Sequence, residues 1–254
     1  MKTLTFFNEK GGSGKSTFCL MMASWLRYAC GARVAVIDLD DPMHSIDEIR
    51  RLDRDTLASG GKELLRFIPP DADPDRDWYP VIPAAVDGGP ADQKRMEALI
   101  RCMQDDYDYV LLDFGGSLSE GDTVVTFLRS GIIDLLVVPV YTDETVMLSA
   151  LELCFRARRW GQRQAVFWNR VTRSERPCSE KNRFAKLSSL FTKDGTPVLD
   201  TFIPEMVMFR RDCRTWRFLR STACWPSTNV RLLCPELETL FTEIRSMLDG
   251  GDEP

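Results

Sequence analysis

The feature that most constrains the fold is an alternation of short apolar segments with longer amphipathic ones. The apolar segments are nearly continuous and rich in β-branched and aromatic residues, which is typical of parallel strands covered on both faces. They predict strands at 3–7, 33–39, 109–114, 135–140, 165–169 and 198–203. Helices are predicted at 15–29, 92–104, 144–160, 180–192 and 235–248. This order predicts an α/β fold with a doubly wound, mostly parallel sheet flanked by helices.

Residues 54–91 interrupt this alternation, because six prolines stand there among aspartates and glycines. The stretch is too short and too rich in proline for a second domain. We therefore expect an irregular excursion on the rim of the sheet, with a short strand at "WYPVI", 78–82. The whole chain, 1–254, is predicted to form a single domain.

The composition argues against a membrane-spanning protein, a disulfide-rich protein and a wholly basic nucleic-acid-binding protein. The chain has no run of 18 apolar residues and no signal-peptide pattern, so we expect a cytoplasmic protein that does not bind membranes. Its eight cysteines are scattered without a C-x-x-C pair, which favours reduced thiols over a zinc site or a disulfide framework. Because the formal net charge is −5, any contact with nucleic acid must use a local basic patch.

The first apolar segment leads into "FFNEKGGSGKST", 6–17. A strand, a glycine-rich turn and a helix start near Lys15 predict a phosphate-binding loop, in which backbone N–H groups and the helix N-terminus face the phosphates. Lys15 would reach the β- and γ-phosphates, and the Ser16 hydroxyl would ligate Mg²⁺. The pattern G-x-x-x-x-G-K-[ST] is broken, however, because Glu9 replaces its first glycine and a second lysine, Lys10, follows. The predicted nucleotide contacts are Gly11, Gly12, Ser13, Gly14, Lys15, Ser16 and Thr17.

The segment "KGGSGKST" resembles the deviant Walker A loop, K-G-G-x-G-K-[ST], of the ParA/MinD family of ATPases. The resemblance implies a P-loop NTPase fold, ATP and Mg²⁺ as ligands, and slow ATP hydrolysis. In that family the lysine at the position of Lys10 extends across a nucleotide-sandwich dimer to the phosphates of the other subunit. Such a lysine resembles an arginine finger supplied in trans. The missing first glycine and the additional lysine are thus two parts of the same departure from the usual Walker A pattern. Lys10 and Lys15 are both expected to be catalytic.

Two acidic segments follow predicted strands. The segment "DLDDPMHS", 38–45, resembles the family's D-x-D-P segment with one residue inserted before its proline. The resemblance implies that Asp38 supports the magnesium through water and that Asp40 orients or activates the attacking water. The segment "YDYVLLDFGGS", 107–117, has the Walker B shape, with Asp113 expected to hold the water shell of the metal.

Three residues near these aspartates can each be interpreted in two ways. His44 is the only histidine, and we expect a hydrogen-bonded loop residue, with a catalytic role as the alternative. Gly115 and Gly116 stand where family members often carry prolines. The D-x-x-G spacing from Asp113 to Gly116 could present a backbone N–H to the γ-phosphate, or the glycines could simply provide flexibility.

Two later strand ends are expected to complete the pocket. The family recognises adenine with an asparagine and a proline-bearing loop at similar places. By that resemblance, Asn169 of "WNRV" and Pro204 of "FIPEM" are expected to contact the adenine. An asparagine at a strand end can also be a simple cap.

A basic segment near the C-terminus indicates a surface for DNA. Read as a helix, "MFRRDCRTWRFLRS", 208–221, places its apolar residues on one side and arginines on the other. The alternative is a solvated helix face whose arginines pair with local carboxylates. The predicted DNA contacts are Arg210, Arg214 and Arg217, with Arg211 and Arg220 widening the same face.

Together these patterns predict an ATP-dependent dimerisation switch that positions plasmid, chromosomal or conjugative-element DNA. The expected partners are ATP, a second copy of the chain, DNA of any sequence and a protein that stimulates hydrolysis, with nucleoid association in the ATP state. One alternative is a metabolic enzyme of the same superfamily, in phosphoryl transfer or as an iron–sulfur reductase. The reductases need cysteines in the loop after Asp113, where this chain has none. Another is a membrane-cycling ATPase of the MinD type, which needs a basic C-terminal helix, whereas 235–254 is acidic.

Overall fold

The described residues of the computed structural model are 1–61, 66–68, 73–85, 90–116, 123–172, 183–205 and 220–250. They contain a six-stranded sheet in the order β3-β2-β4-β1-β5-β6, and every pairing between neighbouring strands is parallel. This arrangement confirms the predicted fold class. The strands are β1 (Lys2–Phe6), β2 (Val34–Leu39), β3 (Val81–Pro83), β4 (Tyr109–Phe114), β5 (Leu135–Val140) and β6 (Gln164–Trp168).

Helices connect successive strands and cover both faces of the sheet. None of them, within the described ranges, is long and apolar enough to cross a membrane. They are α1 (Lys15–Tyr28), α2 (Ser45–Ala58), α3 (Pro90–Cys102), α4 (Thr123–Ser130), α5 (Glu144–Arg159), α6 (Arg183–Lys193), α7 (Ser227–Leu233) and α8 (Glu236–Asp249).

The core lies in two layers, one on each face of the sheet. Alternate residues of β4 divide between them: Leu111 joins one layer, whereas Val110 and Leu112 join the other. This period of two explains why the strands read as continuous apolar runs, since both faces need apolar side chains. The first layer includes α1 and α8, where the Phe241 ring lies 5.8 Å from that of Trp25.

The strand predicted at 198–203 is wrong. The segment runs beside β6 and the residues that follow β6, where it forms isolated bridges, Val198 with Val166 and Pro204 with Val171, and no continuous ladder. The Leu199 N–H donates to the Val166 carbonyl at 2.8 Å, and the Ile203 N–H donates to the Trp168 carbonyl at 2.7 Å. Between these two hydrogen bonds the segment advances by four residues, from Leu199 to Ile203, whereas β6 advances by two, from Val166 to Trp168. The intervening residues therefore cannot pair one to one with β6, as a strand requires.

The irregular excursion predicted at 54–91 is shorter in the structure. Helix α2 continues to Ala58, α3 begins at Pro90, and β3 provides the short strand expected near "WYPVI". Helix α2 was not predicted from the sequence, because its buried side is largely polar. Three of its buried residues are charged: Asp47, Arg50 and Asp53. Apolar periodicity could not reveal such a helix.

Candidate nucleotide-binding site

The glycine-rich loop joins β1, at the centre of the sheet, to α1. Strand β1 pairs with β4 on one side and β5 on the other, so the loop lies at the carboxyl edge where ligands of parallel α/β sheets bind. Gly14 has a φ of 102°, and a Cβ there would lie 2.9 Å from the Phe18 ring. No side chain caps the N-terminus of α1. Its first-turn N–H groups are therefore free to face an anion.

The loop is held from the side of β6. The Asn169 side-chain amide donates to the Ser13 carbonyl at 2.8 Å, and the Arg170 guanidinium donates to the Gly12 carbonyl. Ser13 is fully buried, and its hydroxyl has no hydrogen-bond partner among the described residues. A buried hydroxyl of this kind has capacity left for a further polar group.

The two lysines of the loop occupy different environments. Lys15 begins α1 and is half-buried, and burial lowers its pKa below the ordinary value while Asp113 and Asp40 act in the opposite direction. Lys10 is exposed, and its backbone N–H donates to the Asn8 side chain at 3.2 Å. Lys15 thus faces the acidic residues of its own chain, whereas Lys10 faces solvent.

Asp38 and Asp113 are paired in register on the adjacent strands β2 and β4, and both are fully buried. Burial, together with Asp38 and Asp40, raises the pKa of Asp113 to about 8, although Ser16 and Lys15 act in the opposite direction. The Ser16 hydroxyl is near enough to affect that pKa. Neither carboxylate oxygen of Asp113, however, is in hydrogen-bonding geometry with any described group.

Asp38 is already engaged with the protein. One of its oxygens accepts from the backbone N–H groups of Ile46 and Asp47, each at 3.0 Å, at the start of α2. The other accepts from the Asp40 N–H at 3.2 Å. Asp40 is half-buried, and burial together with Asp38 raises its pKa, whereas Lys15 and His44 lower it. Asp38 therefore organises the segment that carries Asp40.

These residues fit a nucleotide-bound magnesium ion. Mg²⁺ prefers hard oxygen ligands and keeps several waters, and Asp113 offers an unpartnered buried carboxylate beside the Ser16 hydroxyl. Within the described ranges, no three His, Cys, Asp or Glu side chains are grouped as a metal site. Bound Mg²⁺ would therefore depend on phosphate oxygens and water for its remaining ligands, as at nucleotide sites.

Gly115 and Gly116 bring the end of β4 against the loop. A Cβ on Gly115 would lie 2.9 Å from an Asp40 carboxylate oxygen, and one on Gly116 would lie 3.2 Å from Lys15 Nζ. Larger residues would displace these two functional groups. The proximity supports the interpretation that Gly116 can present its N–H near the phosphates, which stays a prediction.

His44 lies at the start of α2 with a φ of 40°. Its Nε2 is 3.3 Å from an Asp41 oxygen, and its Nδ1 is 3.7 Å from an Asp38 oxygen. These contacts lie within its own segment, but its Nδ1 has no hydrogen-bond partner among the described residues, so whether His44 is structural or catalytic stays a prediction.

At the opposite end of the loop, the structure brings together the two residues predicted to contact adenine. Pro204 bridges to Val171, two residues after Asn169. Sequence analysis missed Arg170, whose guanidinium lies 4.9 Å from the centroid of the Tyr141 ring. Its position directly after Asn169, at a strand's carboxyl end, was the available signal. The predicted DNA contacts Arg210, Arg214 and Arg217 lie outside the described residues.

A model of the family described as ATPase MipZ matches residues 2–165, more than half of the chain. The chain belongs to the MipZ family of ATPases. It is accordingly an ATPase of the ParA/MinD class, with a deviant Walker A loop. The matched range contains the loop, both acidic segments and strands β1 to β5.

Solved structures share the fold at low sequence identity. A chain of the MinC:MinD cell division protein complex of Aquifex aeolicus has a TM-score of 0.66 and 16% identity, covering 100% of this chain and 98% of that one. An ATP complex of a substituted McdA from Cyanothece has a TM-score of 0.64, 18% identity and coverage of 100% and 98%. MinD of Pyrococcus horikoshii with Mg-ADP has a TM-score of 0.59, 13% identity and coverage of 99% and 96%. A search of curated proteins found no significant match.

We expect Lys15→Ala to abolish ATP binding, because the half-buried cation that faces the phosphates is lost. Titration calorimetry with Mg·ATP measures the effect. Lys94→Ala, which removes an exposed lysine from α3, is the matched control and should bind normally. Unchanged affinity in the Lys15→Ala protein would contradict the assignment of the loop.

Asp113→Asn should stabilise the nucleotide-free protein at alkaline pH. The unfolded chain releases this proton near pH 3.8, whereas burial keeps it bound to about pH 8 in the folded state. The carboxyl group therefore destabilises the folded state increasingly as the pH rises through that window. Each pH unit of that window corresponds to about 1.4 kcal/mol, so we expect stabilisation of several kcal/mol at pH 8 and little near pH 4, measured by urea unfolding. The exposed Asp105→Asn is the control, and equal stability of Asp113→Asn and the parent at pH 8 would contradict an unpartnered Asp113.

Proposed function

We propose that this ATPase is a nucleotide-operated dimerisation switch that positions or partitions DNA. In this function ATP and Mg²⁺ hold two copies together, slow hydrolysis separates them, and nucleotide state selects the partners. The cargo is a plasmid, a chromosome or a conjugative element. The ATP-bound protein associates with the nucleoid in the cytoplasm.

The observation that carries this proposal is the contrast between the two lysines of one loop. Lys15 is drawn toward Asp113 and Asp40, whereas Lys10 is exposed on the same loop. Lys10 acts electrostatically on Asp143 but forms no ion pair in the described part of the chain, so its exposed ammonium group is available to a site on another molecule. In a face-to-face dimer, Lys10 of each copy would reach the phosphates bound by the other, where negative charge develops during transfer.

The other residues have separable roles within each copy. Lys15 and the α1 N-terminus bind the β- and γ-phosphates, and Ser16 and Asp113 hold Mg²⁺ and its water shell. Bound Mg²⁺ would neutralise charge on the phosphates. Asp40 orients or activates the attacking water, and its raised pKa suits a group that accepts a proton. Asp38 supports the magnesium through water and positions Asp40 through the hydrogen bond to its backbone.

A partner that stimulates hydrolysis is part of the proposal. The structural neighbour from Aquifex aeolicus is named as a complex of MinD with MinC, so this fold accommodates a protein partner. For a slow ATPase, a stimulating partner sets where and when the dimer separates.

The membrane-cycling alternative is not favoured by α8. A membrane-binding C-terminal helix must expose its apolar side to lipid. In α8 the apolar residues belong instead to the core layer that contains α1. The residues are Leu237, Leu240, Phe241, Ile244 and Leu248, all fully buried.

Mixing two inactive variants tests the dimer. Lys10→Ala should bind ATP but fail to dimerise or turn over, and Asp40→Ala should bind ATP but fail to hydrolyse it. If Lys10 acts across the dimer, a mixed dimer contains one site with both groups intact. We expect partial recovery of hydrolysis on mixing, measured by phosphate release.

Two controls make this experiment decisive. Light scattering or size exclusion must show that mixed dimers form, and Lys94→Ala should behave as the parent in every assay. Absence of recovery in mixed dimers that do form would overturn the trans role of Lys10.

A triple replacement tests the DNA surface. Five arginines stand within the eleven residues 210–220 of an otherwise acidic chain. Replacing Arg210, Arg214 and Arg217 with alanine should abolish ATP-dependent DNA retention at low salt. The slope of log K against log salt should fall by about one per arginine at most.

A matched triple variant removes the same charge from the exposed side of α3: Lys94→Ala, Arg95→Ala and Arg101→Ala. It should retain DNA as the parent does. If the 210–217 variant dimerises with ATP and still binds DNA as tightly as the parent, the DNA surface lies elsewhere.

A further inference from the structure

A groove of about 660 Å³ lies at the amino ends of β2, β3 and β4. The strands are parallel, so this edge of the sheet is opposite the one that carries the glycine-rich loop. Six arginines and three aspartates line the groove, although the whole chain has a net charge of −5. We call it the arginine groove. Its arginines are Arg27, Arg33, Arg50, Arg51, Arg54 and Arg76, and its aspartates are Asp47, Asp75 and Asp106.

Four of the arginines are exposed and form ion pairs. Such pairs contribute little to stability, so their role in folding is small. They hold their guanidinium groups around the rim, at N–O distances of 2.6 to 2.9 Å. The pairs are Arg33–Asp108, Arg51–Asp47, Arg54–Asp75 and Arg76–Asp77.

Arg27 and Arg50 differ from those four, because neither forms an ion pair with a carboxylate in the described part of the chain. The Arg27 guanidinium donates twice to the Asp77 backbone carbonyl, at 3.0 and 3.3 Å. Arg50 donates to the Tyr79 backbone carbonyl. Neutral carbonyls fix the positions of both groups, and the carboxylates of Asp77, for Arg27, and Asp53, for Arg50, act on them electrostatically without forming ion pairs with them.

Arg50 is unusual because it is a buried cation. It is only 6% exposed, and its guanidinium lies 5.0 Å from the Trp78 ring centroid and 4.9 Å from that of Tyr79. Its Nε and the indole Nε1 of Trp78 are both buried donors without a hydrogen-bond partner among the described residues. Burial lowers the pKa of Arg50, whereas Tyr79, Tyr28 and the carboxylate of Asp53 act in the opposite direction. Two unpaired buried donors in one groove, one of them on a cation that has no direct ion pair in the described part of the chain, indicate an acceptor-bearing ligand.

We propose that the arginine groove binds a compact phosphorylated anion, with Arg27 and Arg50 contacting its phosphate oxygens. Guanidinium groups match phosphate because their planar N–H donors make paired, charge-assisted hydrogen bonds. The volume suits a small molecule. The phosphate chain of duplex DNA is a poorer occupant, because Asp47, Asp75 and Asp106 interrupt the positive lining.

Inorganic pyrophosphate is the probe, titrated by calorimetry into the full-length protein without magnesium. The phosphate-binding loop can also take pyrophosphate, so the titration is repeated with Lys15→Ala. We expect one site with a dissociation constant below about 1 mM that persists in the Lys15→Ala protein. Arg27→Gln should weaken that site about tenfold or more, because a charge-assisted hydrogen bond is lost.

Further variants keep this test independent of folding. Arg101→Gln removes an exposed arginine of α3 and should leave the affinity unchanged. Arg50→Lys keeps the charge but loses the planar donors, so it should weaken binding, while thermal unfolding shows that the protein is folded. If Arg50→Lys does not fold, Arg27→Gln decides alone, since Arg27 is only half-buried.

Three results would overturn the proposal. One is the absence of any pyrophosphate binding in the Lys15→Ala protein, which would assign all of it to the loop. Another is equal affinity for Arg27→Gln and Arg101→Gln. The third is evidence that the groove binds nucleic acid instead. That evidence would be a loss of DNA-duplex retention in Arg27→Gln, together with no pyrophosphate binding outside the phosphate-binding loop.

Discussion

Parallel pairing throughout the described sheet determines where the chemistry can occur. It places the carboxyl ends of β1, β2, β4 and β6 along one edge, so that the segments following them converge. The loop after β1 lies beside Asp113 of β4 and Asn169 after β6, and Asp38 of β2 is paired with Asp113, although these residues are far apart in the sequence. The same constraint requires apolar side chains on both faces of each strand, which explains the two-layered core.

At that edge, the local electrostatics are shaped by burial. Asp38 and Asp113 are adjacent and both buried, but only Asp38 is satisfied by backbone N–H groups. Asp113 remains unpartnered, and its carboxyl group holds a proton far above its ordinary pKa. A metal ion with bound phosphates would supply the missing positive charge. A cation bound beside Asp113 would therefore favour the ionised form of its carboxyl group.

The sequence was informative where chemistry and backbone geometry demand particular residues. Gly14 needs a left-handed conformation, the apolar run before Asp113 predicts a buried strand, and both signals are local. Strand order was not predictable, because it depends on how the crossovers pass over the sheet. The segment 198–203 looked like a strand from its apolar residues, but its spacing against β6 does not match. Helix α2 was missed because Arg50 and Asp53 occupy its buried side, where apolar residues are expected.

Helix α2 has a mechanical consequence. Its first backbone N–H groups bind Asp38 at the nucleotide edge, and 14 residues of helix span about 20 Å. Farther along, Arg50 lines the arginine groove, and Asp53 accepts hydrogen bonds from the side chain of Ser221 and the backbone of Thr222. Those two residues directly follow the arginine-rich segment 210–220. Helix α2 therefore contacts Asp38, the arginine groove and residues 221–222. If bound nucleotide displaced Asp38, α2 would tilt, and its far end at the opposite edge of the sheet would move with it.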